Sequence, residues 1–359
     1  MVEFELRDQP LARAVADKRP AKQAMPGDTI VLQRYEDLSL ATSALDEVTP
    51  NTPVSVGTPI KKTITLQEFG NSALVTRKLQ LTSLADVDSD IAILLANNQA
   101  DSIDSVAMAQ LVGGDNAIYG GDATGTGSVA TGDTITSTMI RKAVAKLRGN
   151  KAVGRRGSLY WGGIHPDVSA DLREESDLAG WRAPHSYSDP SNVWAGEIGT
   201  YEGVYWVESP RLTTGIDGAD GTPNTSRTAT GSSGAFTITA SGSVAAFAKI
   251  GDKVSGTGIG SGAKITAINS AGTGITVDVA NSGSVSGTLT VTPVAKVYRS
   301  LIAGRQALAE AVAEEPHTII GTVTDPLKRY RPIGWYGVLG FARYREEALY
   351  RLETTSDFA

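Results

Sequence analysis

Residues 83–112, SLADVDSDIAILLANNQADSIDSVAMAQLV, constrain this chain more than any other stretch, because they predict one long helix. Ser83 precedes Asp86 by three residues, the spacing of a capping box, and Asp86, Asp88 and Asp90 crowd the first turns, where the helix dipole favours negative charge. Val87, Ile91, Leu94 and Leu95 recur at helical spacing. After the polar step Asn97-Asn98-Gln99 the stripe resumes with Ile103, Val106, Met108 and Leu111, and Gly113-Gly114 ends it. Such a rod is roughly 40 Å long. That length suits an extended plate better than a compact ball, although an ordinary long core helix fits the same shape.

What surrounds the rod excludes several classes of function. The chain has no cysteine, so thiol catalysis, disulfides and cysteine zinc sites are ruled out. His165, His185 and His317 are too dispersed for a local metal motif, and Ser186 beside His185 is adjacency rather than triad geometry. No acidic pair sits in an apolar setting that would raise a pKa, so no enzyme, no cofactor and no metal are expected. The first residues show no basic region followed by an apolar run, and no stretch is long and apolar enough to span a bilayer, so neither a signal peptide nor a membrane segment is expected. A formal net charge of -6 argues against binding nucleic acid by general phosphate neutralisation.

The distribution of charge is more telling. Between Leu79 and Ile140 there is no Lys or Arg, yet Asp86, Asp88, Asp90, Asp101, Asp104, Asp115, Asp122 and Asp133 all fall there. Arg141, Lys142, Lys146, Arg148, Lys151, Arg155 and Arg156 follow at once. Acidic and basic elements side by side can steer copies of one chain against each other. Lys61, Lys62, Arg141, Lys142, Arg155 and Arg156 are therefore candidate inter-subunit contacts, with Asp86, Asp88 and Asp90 as candidate partners. Solvated helix faces are the plainer reading of the same runs. Trp181 and Trp194, in a polar Pro-containing segment with Tyr187, read as interface anchors or as satellite-core aromatics.

Residues 1–27 read as an arm that lies on something else, with a short helix allowed over about 10–18. Thr29–Tyr35 predicts a strand, followed by a long loop to about 60 and a strand in KKTITLQEFG; Asn71-Ser72 predicts a turn, and Ala73–Leu81 a returning strand. The glycine-rich loop after the long helix lacks the GxGxxG and GK[ST] patterns of phosphate loops. A helix over 135–148, a buried strand over 158–164, a helix opened by Pro166 and a strand pair over 199–208 come next, with His165 ending the strand or capping the helix. Residues 213–292 are almost all Gly, Ser, Thr, Ala and Val, and predict a small all-β module, barrel or sandwich, with strands at 235–240, 253–255, 263–268, 275–280 and 287–291. A glycan- or surface-binding role for it is an alternative to an inert one. Val297–Glu314 reads as a helix, 318–320 as a short strand, 325–334 as a loop, and the end as strand for its first half, with helix allowed at 341–352.

The chain resembles major capsid proteins of tailed bacteriophages, in particular the N4-gp56 family of the HK97-like fold. The resemblance rests on the order of GDTIVLQRYEDLSLATSALDEVTP, KKTITLQEFGNSALVTRKLQLTSLADV, the helix ending near GGDNAIYGG, LYWGGIHPDVSADLR, GEIGTYEGVYWVESPR and TIIGTVTDPLKRYRPIGWYGVLGFARYREEALYRLE. It implies an α+β fold: an N-terminal arm (1–27), strands with an extended E-loop at about 35–62 within 28–82, and a peripheral domain (83–134) with the long spine helix. It further implies an axial domain in two parts (135–212 and 293–335), and C-terminal core strands (336–359). The 213–292 module departs from the plain pattern and is expected on the outer surface. The resemblance implies self-assembly as pentamers and hexamers into an icosahedral shell that encloses double-stranded DNA without sequence-specific binding, and the acidic net charge fits a mildly acidic or mixed inner face that does not grip it. The implied partners are copies of the chain, a neighbouring portal, and a scaffold or decoration protein; the implied location is the virion, after assembly in the host bacterial cytoplasm. A tail-tube protein, or a capsid decoration or surface-binding protein, is the alternative, and the long helix between early strands and the later αβ segment argues against it.

Overall fold

A computed structural model of the chain describes residues 11–20, 29–35, 37–42, 44–45, 47, 50, 53–82, 87–174, 197–212, 216–321, 327 and 329–358. In chain order the elements begin with α1 (Ala12–Val15), β1 (Asp17–Pro20), β2 (Thr29–Arg34), β3 (Ile60–Thr65), β4 (Gln67–Thr76), α2 (Arg77–Thr82) and α3 (Val87–Val112). Then come β5 (Ala117–Tyr119), α4 (Ser137–Gly149), β6 (Tyr160–Ile164), α5 (Pro166–Glu174), β7 (Glu197–Tyr201), β8 (Val204–Glu208) and β9 (Ile216–Asp220). The small strands β10 (Asn224–Thr230), β11 (Thr237–Ala240), β12 (Lys253–Ser255), β13 (Ile265–Ile268), β14 (Gly274–Val277) and β15 (Thr288–Thr292) follow. The chain finishes with β16 (Val294–Ala303), β17 (Leu308–Ile320), β18 (Tyr330–Arg343) and β19 (Leu349–Thr354). The described residues of Met1–Asn116, Leu147–Trp161 and Ala303–Tyr350 form one compact unit, and those of Ala117–Lys146, Gly162–Ile302 and Arg351–Ala359 form a second.

In the first unit a four-stranded sheet runs β1-β17-β18-β4, and β2 and β3 make a separate two-stranded ribbon. The long helix α3 packs by Leu95, Ile103, Ala107, Met108 and Leu111, all buried, while Leu94 is exposed. Its polar step has a structural purpose. Asn98 Oδ1 accepts from Trp335 Nε1 on β18 (3.1 Å) and from Asn71 Nδ2 on β4 (3.1 Å), and Gln99 Nε2 donates to the Pro316 carbonyl of β17 (3.2 Å). The predicted capping box at 83–86 lies outside the described residues. Residues 11–20 lie on their own unit: the buried Asp104 of α3 accepts the Ala12 N–H (2.6 Å), capping the open start of α1, and β1 pairs in parallel with β17.

Several predicted elements need correction. Asn71-Ser72 does not turn the chain, because β4 pairs with β18 continuously from Gln67 opposite Leu339 to Thr76 opposite Tyr330. Pairing ends where the Arg77 N–H turns to the Arg329 carbonyl (2.8 Å), and Thr76 Oγ1 accepts the Leu79 N–H (3.2 Å), starting helix α2 where a strand was predicted over 73–81. The helix predicted over 297–314 is instead β16 and β17, since a three-and-four spacing of apolar residues also describes strands buried on both faces. The short strand at 318–320 is the end of β17, part of the predicted 325–334 loop is the start of β18, and 341–352 holds strand ends around the short 3-10 turn Glu346–Ala348 rather than a helix.

The second unit carries a seven-stranded sheet, β5-β19-β16-β6-β8-β7, with β9 also paired to β16. Helices α4 and α5 form where predicted, α5 opening on Pro166. The strands β12-β15-β10-β11-β14-β13 form a six-stranded sheet that closes on itself. Val254 N donates to Ala263 O (2.8 Å), Ile265 N donates to Asp252 O (2.9 Å), and Lys253 bridges to Lys264. Closure leaves this barrel without an edge, and Ile238, Val254, Ile265, Ile275, Leu289 and Val291 fill it. Residues 253–255 are a strand as predicted and four neighbours lie within a few residues of their predicted places, whereas β10 was not foreseen and β9 belongs to the seven-stranded sheet. The chain enters and leaves the barrel at adjacent points: Gly221 N donates to Pro293 O (2.7 Å).

Candidate inter-subunit surfaces

The ribbon β2–β3 is built by six facing pairs, from Thr29 opposite Thr65 to Arg34 opposite Ile60. Alternation in TIVLQR turns Ile30 and Leu32 onto Ile64, Ala309, Ala311 and Ala342, giving the ribbon one packed face. Charges fix its base. Arg34 Nη2 meets Glu347 Oε1 (3.2 Å), Arg345 Nε lies 3.7 Å from Glu347 Oε2, and Lys151 Nζ meets Asp37 Oδ2 (2.7 Å). The Arg34 bonds hold the Glu347 carboxyl below its ordinary range, and the Lys151 bond does the same for Asp37.

Beyond that base the loop carries apolar side chains that no described residue buries. Leu40 is 87% exposed and Leu45 76%, with Leu38, Val54 and Val56 also exposed. Apolar groups so arranged on a projecting loop mark a surface built for a partner. The same unit exposes Leu74, Leu81 and Leu94.

The charged candidates divide. Lys61 and Lys62 are exposed on β3, and Lys142 and Arg156 are exposed as well. Arg141 pairs within its own unit, Nε with Glu202 Oε1 (3.2 Å), and Arg155 reaches Asp17 (3.5 Å) and the Ala14 carbonyl (3.1 Å). Asp90 is half-buried on α3, Asp88 lies on α3, and Asp86, Trp181 and Trp194 fall outside the described residues, as do His185 and Tyr187. Sequence reasoning missed the buried carboxylates. Glu310 is fully buried against Arg13 (2.7 Å), and Glu353 is fully buried against Arg299 (2.8 Å). Asp104 left a trace, since Ala107, Met108 and Leu111 follow it at helical spacing and place it on the buried stripe. Glu310 left none while its segment read as helix.

In the second unit a polar cluster surrounds the start of α5. His165 caps α5: its carbonyl accepts the Ser169 N–H (2.9 Å) and its Nδ1 accepts the Asp167 N–H (3.2 Å). Its ring packs on Tyr298 at 5.0 Å, and the Tyr298 hydroxyl donates to Asp167 Oδ2 (2.8 Å). Burial lowers the His165 pKa; burial and the bond to Asp167 raise that of Tyr298. Ser169 Oγ donates to Glu208 Oε1 (2.6 Å). Among the described residues no group of three or more His, Asp or Glu is placed to hold a metal ion.

A family model described as phage capsid protein matches residues 99–350. Among solved structures, the capsid of Ralstonia phage GP4 aligns with a TM-score of 0.62 at 13% identity, covering 99% of this chain and 94% of that one. The capsid structure of cyanophage P-SCSP1u gives 0.60 at 12%, covering 99% and 91%, and the mature capsid of bacteriophage PhiM1 gives 0.58 at 10%, covering 99% and 90%. Identities this low speak for the fold alone. No curated protein matches the chain.

Proposed function

From the premise that this chain belongs to the phage capsid protein family and has an α+β, HK97-like fold, we propose that it is a major capsid protein of the N4-gp56 type. In this reading the copies form pentamers and hexamers of an icosahedral shell that encloses double-stranded DNA. The shell is part of the virion and is assembled in the host bacterial cytoplasm beside a portal and a scaffold or decoration protein. The 37–59 loop acts as the E-loop, α3 as the spine of a peripheral domain, and the closed barrel as a module on the outer surface. Residues 11–20 belong to the N-terminal arm, and the exposed Lys61, Lys62 and Lys142 face neighbouring copies.

One observation carries the reading: the loop between β2 and β3 presents Leu40 and Leu45 almost fully to solvent on a ribbon whose base is fixed. A monomer gains nothing from such residues, whereas a shell repeats their contact at every subunit, where many weak contacts act at high effective concentration. The test is Leu40→Ser with Leu45→Ser. The variant subunit melts at the wild-type temperature, and electron microscopy finds shells or capsomers reduced at least about tenfold, as loss of two buried leucines per contact would cause. Undiminished shell yield would overturn the assignment of the loop.

A further inference from the structure

Among the described residues, open strand edges remain on the β2–β3 ribbon and at the ends of two larger sheets. The barrel has none, and the seven-stranded sheet ends on the three-residue β5 and the five-residue β7. In the four-stranded sheet, β1 covers β17 at Ala309–Val312, and beyond it Glu314, Glu315 and Pro316 guard the edge with charge and a missing N–H. The opposite edge is different. β4, QEFGNSALVT, pairs with β18 along ten residues and has no strand on its other side among the described residues. It carries no Lys, Arg or Pro, its one charge is Glu68, Gly70 to Ser72 are exposed, and Leu74 is 58% exposed. The six-residue ribbon strands β2 and β3 also have open edges but carry Arg34, Lys61 and Lys62, whereas the ten-residue edge of β4 is left unguarded and is a template for another strand.

We propose that the outer edge of β4 accepts an extended strand of a second copy of this chain, continuing the four-stranded sheet across a subunit boundary. The proposal rests on the capsid reading and names a contact within it. The chain itself supplies a strand of suitable character. β3 is one edge of a two-stranded ribbon and bears the exposed Lys61 and Lys62. The two lysines discourage β3 from pairing with its own kind, and against β4 one of them, on the face that Glu68 shares, meets that carboxylate instead. Such a contact joins two different surfaces of the same chain, so it repeats head to tail, and rings of the capsomer kind follow where its rotation closes.

Hydrogen exchange of unassembled subunits and of assembled shells tests this directly. The amides of 67–76 that point away from β18 exchange quickly in the subunit and at least about tenfold more slowly in the shell, together with amides of 60–65. Ser72→Lys with Leu74→Lys, which plants guards on the edge, lowers shell yield severalfold and leaves the subunit melting temperature unchanged. Equal exchange of 67–76 in both states, or a full shell yield from the double-lysine variant, overturns the strand contact while leaving the capsid reading standing. Protection of 67–76 without protection of 60–65 overturns β3 as the donor. A chain that forms no ring, capsomer or shell overturns the capsid reading and this contact with it.

Discussion

His165 makes the sharpest statement at the scale of single residues. Its Nδ1 is an acceptor, its ring is packed on Tyr298, and burial holds its pKa below the ordinary 6.5. The unfolded chain therefore binds a proton at His165 at a pH where the folded one does not. The stability linked to this group is fully present above about pH 6.5 and falls as pH drops below that value toward the folded pKa. Asp167 and Glu208 oppose the shift and set its lower end. Melting temperatures followed from pH 7.5 to about 5 show this loss in the wild type, and His165→Gln flattens that part of the profile. The sequence reading of His165 as a cap was legible from Pro166 after it. The burial of Glu310 and Glu353 was not, because a carboxylate's neighbours across a sheet come from far along the chain: Arg13 and Glu310 are 297 residues apart.

At the scale of elements, β6 and β8 lie side by side in the seven-stranded sheet, and Gly162 of β6 faces Val204 and Trp206 of β8. A Cβ there would stand 2.5 Å from Val204 Cγ1 and 2.6 Å from Trp206 Cε3, and Trp206 is fully buried. Gly162→Ala costs about 1–3 kcal/mol as overpacking, read as a lower denaturation midpoint. Gly162 in SLYWGGI is thus a packing requirement, which the sequence marked only as part of a buried strand. Helices α4 and α5 were legible because their signals are local: an apolar stripe, a proline at the first turn, a glycine at the end. The strands β16 and β17 were not, since a strand buried on both faces loses the alternation that identifies it. Leu74–Thr82 divides for the same reason: β4 persists only while β18 offers partners, and Thr76 caps a helix once pairing stops.

For the whole molecule, the closed barrel is the part whose removal is most informative. Gly221 and Pro293 already share a hydrogen bond, so deleting 222–292 joins chain ends that lie together. What is lost besides the barrel's own core is the Val294 N–H bond to Asp252 and the surface pairs Lys253–Asp220 and Lys264–Asp217, which contribute little. The shortened chain is expected to keep a cooperative melting transition and to assemble, as seen by calorimetry and electron microscopy; collapse of the remaining fold would show the barrel to be integral to it. The sequence by itself determined what is local or cumulative: the long rod of α3, the exposed loop after β2, the Gly-Ser-Thr-rich β module, the absence of thiol chemistry, and the family resemblance carried by motif order. The tertiary structure decided what depends on which strand finds which: that β4 runs straight through Asn71-Ser72, that 297–314 holds β16 and β17, that the module closes, and that the ten-residue edge of β4 has no strand beside it among the described residues. Helices satisfy their backbone within a few residues, so their spacing can be read from the chain, whereas each strand's hydrogen bonds are completed by residues its own sequence does not name.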